Sequence, residues 1–189
     1  MSMTVATPRV LGDAIPGGLT RDVALVAGGA GLTGIAAQIA LPLPFTPIPL
    51  TMQTLAVLLV AASLGTKRGL ASMLLYVGVG AAGVPWFTNG TSGFTASFGY
   101  AVGFLLAALL VGRLAESGGT RRPMHTAGVM IVGNLAIYAV GVPWLMFAAN
   151  LGLGKALALG VLPFLVGDLI KVAVAAGAMP SAWKLSNKH

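Results

Sequence analysis

Asp168 and Lys171 lie three residues apart in an otherwise apolar stretch that follows Pro163. In a helix that spacing puts both side chains on one face. An ionised group inside a bilayer costs about 2.5–3.5 kcal/mol on insertion scales. Pairing recovers part of this cost, but a hydrophobic residue would pack there with none of it. A self-neutralised pair, or Lys171 snorkelling to the interface, is the structural alternative. The functional reading is a polar pocket. A carboxylate accepts up to two N–H bonds, and an ammonium donates to a carbonyl or carboxylate. A small ligand with an amide or urea group would use both. If the helix starts at Pro163, Asp168 sits about 7–8 Å below its outer end, at 1.5 Å per residue. A solute reaches that depth from outside.

Other chemistries lack their residues. There is no cysteine, so disulfides, thiolate metal sites and cysteine nucleophiles are excluded. His125 and His189 have no acidic cluster beside them, and no pair of carboxylates lies within an apolar segment to hold magnesium. Gly78, Gly80 and Gly83 match GxGxxG but end an apolar helix, and no acid follows at the needed distance, so the match is fortuitous. Gly154-Lys155 resembles the end of a P-loop, yet position 149 is alanine and Ala156 replaces the Ser/Thr. Any ATP used must therefore be bound by another subunit. Asn89-Gly90-Thr91 is a glycosylation sequon, significant only in a secretory pathway. The uncharged 83–98 loop holds Trp86, Phe87, Asn89 and Phe94. It suits a lid whose aromatics pack on the apolar part of a ligand. The backbone amides of Gly90 or Gly93 would suit a ligand carboxylate.

The elements that position these residues are membrane spans. Of 189 residues 57% are hydrophobic and 8% charged, against about 25% charged in a soluble domain. The chain predicts an all-α polytopic membrane protein with six transmembrane helices, near 22–41, 50–64, 69–82, 99–114, 126–147 and 163–180. Pro163 starts the sixth, leaving 153–162 as a short outer helix at the interface. Residues 1–21 read as a flexible tail, 22–183 as the substrate-binding domain and 184–189 as a second tail. With the N-terminus inside, Arg9, Arg21, Lys67, Arg68, Arg113, Arg121, Arg122, Lys184 and Lys188 are cytoplasmic and only Lys155 is outside. That asymmetry obeys the positive-inside rule and puts both termini in the cytoplasm of an inner-membrane protein. It also accounts for the net charge of +7 without nucleic acid as a partner. Small residues crowd span one, and Gly99 and Gly103 make a GxxxG step in span four. Such faces serve close packing within the bundle. On span one, Ala27, Gly31 and Gly34 are candidates for docking a partner's helices.

Several strings together resemble one family. These are Pro42-Leu-Pro-Phe-Thr-Pro-Ile-Pro-Leu-Thr-Met-Gln-Thr-Leu55, Lys67-Arg68-Gly69, Leu75-Tyr76, Gly83-Val-Pro-Trp-Phe87, and Leu162-Pro-Phe-Leu-Val-Gly-Asp-Leu-Ile-Lys171. They look like BioY proteins, the biotin-binding S components of energy-coupling factor (ECF) transporters, over about residues 24–176. The resemblance implies an S-component bundle that binds biotin through Asp168 and Lys171, with Asn89 of the outer loop and Gln53, Tyr100 and Phe87 near the pocket. It implies no cofactor and no enzymatic activity. It implies partners: a transmembrane coupling protein, ABC-type ATPase subunits and lipid, with homo-oligomerisation left open. One departure is Thr95-Ala-Ser-Phe-Gly-Tyr100, which keeps only the last two residues of the family's Gly-Pro-Thr-Gly-Gly-Tyr run. The rival readings are an S component for another small vitamin, an intramembrane enzyme using Asp168, and a purely structural membrane partner.

Overall fold

The computed structural model describes residues 9–186. Helix α1 (Leu19–Gln38) ends at a short hairpin, in which β1 (Ala40–Leu41) pairs antiparallel with β2 (Leu50–Thr51). The prolines at 42, 44, 47 and 49 lack a backbone donor and break helix, so this string forms the hairpin loop rather than extending a span. Thr46 Oγ1 anchors the loop by donating to the Leu159 carbonyl, 2.7 Å away.

Helix α2 (Gln53–Ala81) contains the expected second and third spans and is not straight. Gly65 has φ 77° and ψ −175°, a left-handed conformation that favours glycine. The chain reverses there. Gln53 Nε2 donates to Tyr76 Oη at 2.6 Å, although 23 residues of straight helix would separate them by about 34 Å. The two arms are close enough that a Cβ on Gly69 would lie 3.0 Å from the Ala61 backbone. Glu116 closes the reversal, its Oε1 accepting from the Thr66 amide at 2.7 Å.

The rest of the bundle is α3 (Phe98–Glu116), α4 (Pro123–Ala149), the short α5 (Leu153–Gly160) and α6 (Leu165–Ser186). Glycines allow the close crossings. Gly103 meets the Ile137 backbone on α4, and Gly29 of α1 meets Val60 and Ser72, one on each arm of α2. The Gly99–Gly103 step thus packs α3 on α4 within the bundle. Pro163 sits in a 3-10 turn just before α6, as expected, but Pro180 does not end that helix, which runs on to Ser186.

Among the described residues, four helical segments are long and apolar enough to cross a membrane: Gln53–Ala81, Phe98–Glu116, Pro123–Ala149 and Leu153–Ser186. The first of these is the folded-back α2. Helix α1 is diluted by its glycines and by Arg21 and Asp22.

The expected N-terminal tail needs correction. Residues 1–8 lie outside the described residues, but Val10 is buried, a 3-10 turn spans Leu11–Ala14, and α1 already begins at Leu19. Gly12 packs on Leu64, and Asp13 forms an ion pair with Arg68. A short segment with few apolar residues is held because it caps the charged end of the α2 reversal. At the other end, Lys184 belongs to α6, and 187–189 lie outside the described residues.

Candidate ligand-binding site

The end of the hairpin loop with β2, the start of α2, the 83–98 loop and helices α3, α4 and α6 line a cavity. Its walls are apolar, with Ile48, Phe87, Phe98, Phe104, Ile137 and Phe164, and its polar groups converge from separate elements. Asp168 and Lys171 are both buried and face it from α6.

The pair's bonding is uneven. Tyr138 of α4 donates its hydroxyl to Asp168 Oδ2. Lys171 Nζ donates to Thr54 Oγ1 at 2.8 Å and reaches Asp168 Oδ1 only at 3.5 Å. One carboxylate oxygen is therefore committed, while Oδ1 keeps acceptor capacity. The ammonium keeps donor capacity. Side by side, they match an N–H next to a C=O.

Gln53, Tyr100 and Phe87 also line the cavity. Gln53 is a brace: its Nε2 donates to Tyr76 and its Oε1 accepts from Thr88 Oγ1 at 3.3 Å. Tyr100 Oη donates to the Gly160 carbonyl at 2.9 Å, joining α3 to the end of α5. Phe87 lies over Gly80, where any side chain would overlap its ring.

Asn89 does not line the cavity. It is exposed at φ 57°, in the left-handed region that Asn tolerates, and the buried Thr88 takes the place expected of it. The amides of Gly90 and Gly93 are not available to a ligand either. Gly90 N donates to Gln38 Oε1 and Gly93 N to the Gly80 carbonyl, each at 3.0 Å. The hydroxyls of Thr95 and Ser97, 3.0 Å apart, line the cavity instead. Of the loop aromatics, Phe87 reaches the cavity, Trp86 stacks on Tyr76, and Phe94 stacks on Phe98 while remaining largely exposed. Gly34 of α1 faces inward, 3.3 Å from Trp86 for an added Cβ, whereas Ala27 is exposed and Gly31 faces open space.

Asn134, Tyr138, Thr54, Thr88, Thr95 and Ser97 are lining residues that the sequence did not single out. A signal existed for two of them. Asn134 and Tyr138 are polar residues four apart in the apolar span 126–147, hence on one face, and polar groups inside a span mark functional faces.

Apolar helices closed around a pocket with a few convergent polar groups define a helical membrane protein with an enclosed small-molecule site. The chain belongs to the BioY family, whose model matches residues 3–188. It is 38% identical over 137 residues to a probable biotin transporter BioY of Lysinibacillus sphaericus, covering 71% of this chain and 69% of that protein. It is 37% identical over 153 residues to the biotin transporter BioY2 of Lactococcus lactis subsp. cremoris, covering 79% and 83%. The crystal structure of an S-component for biotin from an ECF-type ABC transporter superposes with a TM-score of 0.78 at 24% identity, covering 87% of this chain and 92% of that one. The two share a fold.

Proposed function

We propose that this chain captures biotin at the outer side of the cytoplasmic membrane, as the substrate-binding subunit of an ECF-type transporter. The observation that carries the reading is the half-satisfied Asp168–Lys171 pair in an apolar cavity. Biotin's ureido ring offers an N–H beside a C=O, the complement of that pair. Its thioether ring suits walls such as Phe87, Phe98 and Ile137. Its carboxylate suits the Thr95 and Ser97 hydroxyls. Gln53 and Tyr100 act by bracing the walls. The names of the relatives, all biotin transporters, support the same ligand and leave the enzyme reading without support.

The proposed topology has six crossings: α1, the two arms of α2, α3, α4 and α6. The reversal at Gly65 supports the count, because it makes α2 two rods. The bases then gather on one side, which supports cytoplasmic termini. Reporter fusions after Trp183 and within 117–122 should both report cytoplasm, and an outside signal from either would sink the topology. Coupling would come from separate ATPase subunits acting through a transmembrane partner. Ala27 and Gly31 offer the open part of α1 to that partner, and Gly31→Leu should weaken assembly while leaving biotin affinity intact.

The direct test is equilibrium binding to the purified protein with biotin, desthiobiotin, thiamine and riboflavin. Biotin should bind most tightly. Desthiobiotin, which keeps the urea, should follow, and the other two should bind far more weakly. A preference for thiamine or riboflavin would replace biotin with that vitamin.

A further inference from the structure

Asn134 stands in the cavity wall with its amide unclaimed. The residue is 8% exposed and lines the cavity, yet its side chain makes no hydrogen bond to any described residue. Its polar neighbours are engaged: Tyr138 with Asp168, Tyr100 with Gly160, Gln53 with Tyr76 and Thr88, and Lys171 with Thr54. Among the described residues the buried side-chain polar atoms without a partner are confined to Thr66 Oγ1, so the Asn134 amide opens onto the cavity, where it can meet a ligand.

The position of Asn134 follows from the helix pairing. Tyr138 meets Asp168 near one end of α6, and Thr120, just before α4, accepts from Trp183 near the other at 3.2 Å. Helices α4 and α6 are therefore antiparallel. Stepping from Tyr138 back to Asn134 moves about 6 Å in the same direction as stepping from Asp168 to Lys171. Asn134 shares its α4 face with Tyr138, so it stands across the cavity at the level of Lys171.

A cyclic urea has one C=O flanked by two N–H groups, so each side of the ring presents a donor next to an acceptor. Tyr138 holds Asp168 Oδ2, which leaves Asp168 one free oxygen for one N–H, while Lys171 takes one lone pair of the carbonyl. The second N–H and the second lone pair remain. A carboxamide is their complement, because its oxygen accepts and its nitrogen donates. We propose that Asn134 is a ligand-contacting, specificity-determining residue whose carboxamide pairs with the side of the ureido ring turned away from Asp168. This rests on biotin being the ligand.

The test compares wild type, Asn134→Ala and Asn134→Leu, with melting temperatures recorded. The ligands are biotin and its two derivatives methylated at one or the other ureido nitrogen. Both variants should lose roughly five- to fiftyfold in biotin affinity, and Asn134→Leu should melt no lower than wild type. For one methylated isomer the Asn134→Ala loss should be clearly smaller, because the N–H that Asn134 accepts is already gone and the alanine leaves room for the methyl group. For the other isomer the loss should persist. Unchanged biotin affinity in folded variants, or equal losses for both isomers, would overturn the proposal. So would wild type binding either methylated isomer as tightly as biotin, a result that needs no variant to fold. A wild type that ignores biotin overturns the ligand assignment itself, before any variant is measured.

Discussion

Two carboxylates in this molecule sit beside cations and do opposite things. Asp13, at the α2 reversal, is saturated. Its Oδ2 accepts the amides of Arg9 and Val10, each at 3.2 Å, and its Oδ1 accepts from Arg68. Arg68 also reaches Asp22, which binds Arg21 at 2.8 Å. Asp168, in the cavity, has one oxygen held by Tyr138 and the other only 3.5 Å from Lys171. A saturated carboxylate stitches chain to chain. A buried carboxylate with acceptor capacity left over is free to take a ligand N–H, the role proposed above for Asp168. The environments agree with this division: the Asp13 side chain is 31% exposed and that of Asp168 10%, so Asp168 carries the larger desolvation cost.

The contrast breaks most visibly at Asp168. Asp168→Asn keeps the shape and loses the charge, and its amide opposes a ligand N–H. Biotin affinity should fall roughly ten- to a hundredfold, from about 1.5–3 kcal/mol of charged hydrogen bond. The melting temperature should hold, because an amide is cheaper to bury than a carboxylate. Both should be measured on one preparation. A drop in stability with affinity intact would make the cavity pair structural, like its counterpart at the reversal.

The next largest effect belongs to the reversal. Gly65→Ala puts a side chain at positive φ, and its Cβ would lie 2.7 Å from Glu116 Oε1. The backbone strain alone is about 1–3 kcal/mol, because φ 77° with ψ −175° is a region essentially reserved for glycine. Thermal unfolding should come several degrees earlier, while the affinity of the folded fraction stays near wild type. A large affinity change here would join the two regions that the contrast separates.

Tyr138→Phe sharpens the comparison by freeing Asp168 Oδ2. With its positioning bond gone, the carboxylate turns between two geometries, and affinity should fall about fivefold, in line with roughly 1 kcal/mol for one hydrogen bond. Wild-type affinity in this variant would mean that the contact with Lys171 is enough to orient Asp168.

The smallest effect is expected at Asp13. Burial works to raise its pKa, but the hydrogen bond and charge of Arg68, with the Arg9 and Val10 amides, outweigh that and hold it below the usual carboxylate value. A depressed folded value means the contribution is complete above the ordinary carboxylate range and is lost as pH falls through the lower folded value. Asp13→Asn should therefore melt slightly below wild type at pH 7, by no more than about 1 kcal/mol for so exposed a pair. The two melting curves should converge in acid. A constant gap across pH would assign the effect to packing rather than charge.

What the sequence determined by itself is local. Apolar runs of span length, the small residues between them and the breaking prolines are properties of short segments, so the helical membrane character and the isolated α5 were legible. The i, i+3 spacing of Asp168 and Lys171 put them on one face whatever surrounds that helix. The tertiary structure decided everything that needs two segments to meet. No local pattern says that Tyr138 takes one oxygen of Asp168, that Gln38 occupies the Gly90 amide, or that Thr88 turns inward while Asn89 turns out. Nor could the 1–21 stretch reveal that Asp13 finds Arg68, 55 residues away. A side chain's type and spacing set what it can bond. Which of those bonds the protein itself uses, and which it leaves for a ligand, depends on distances between helices that only packing sets.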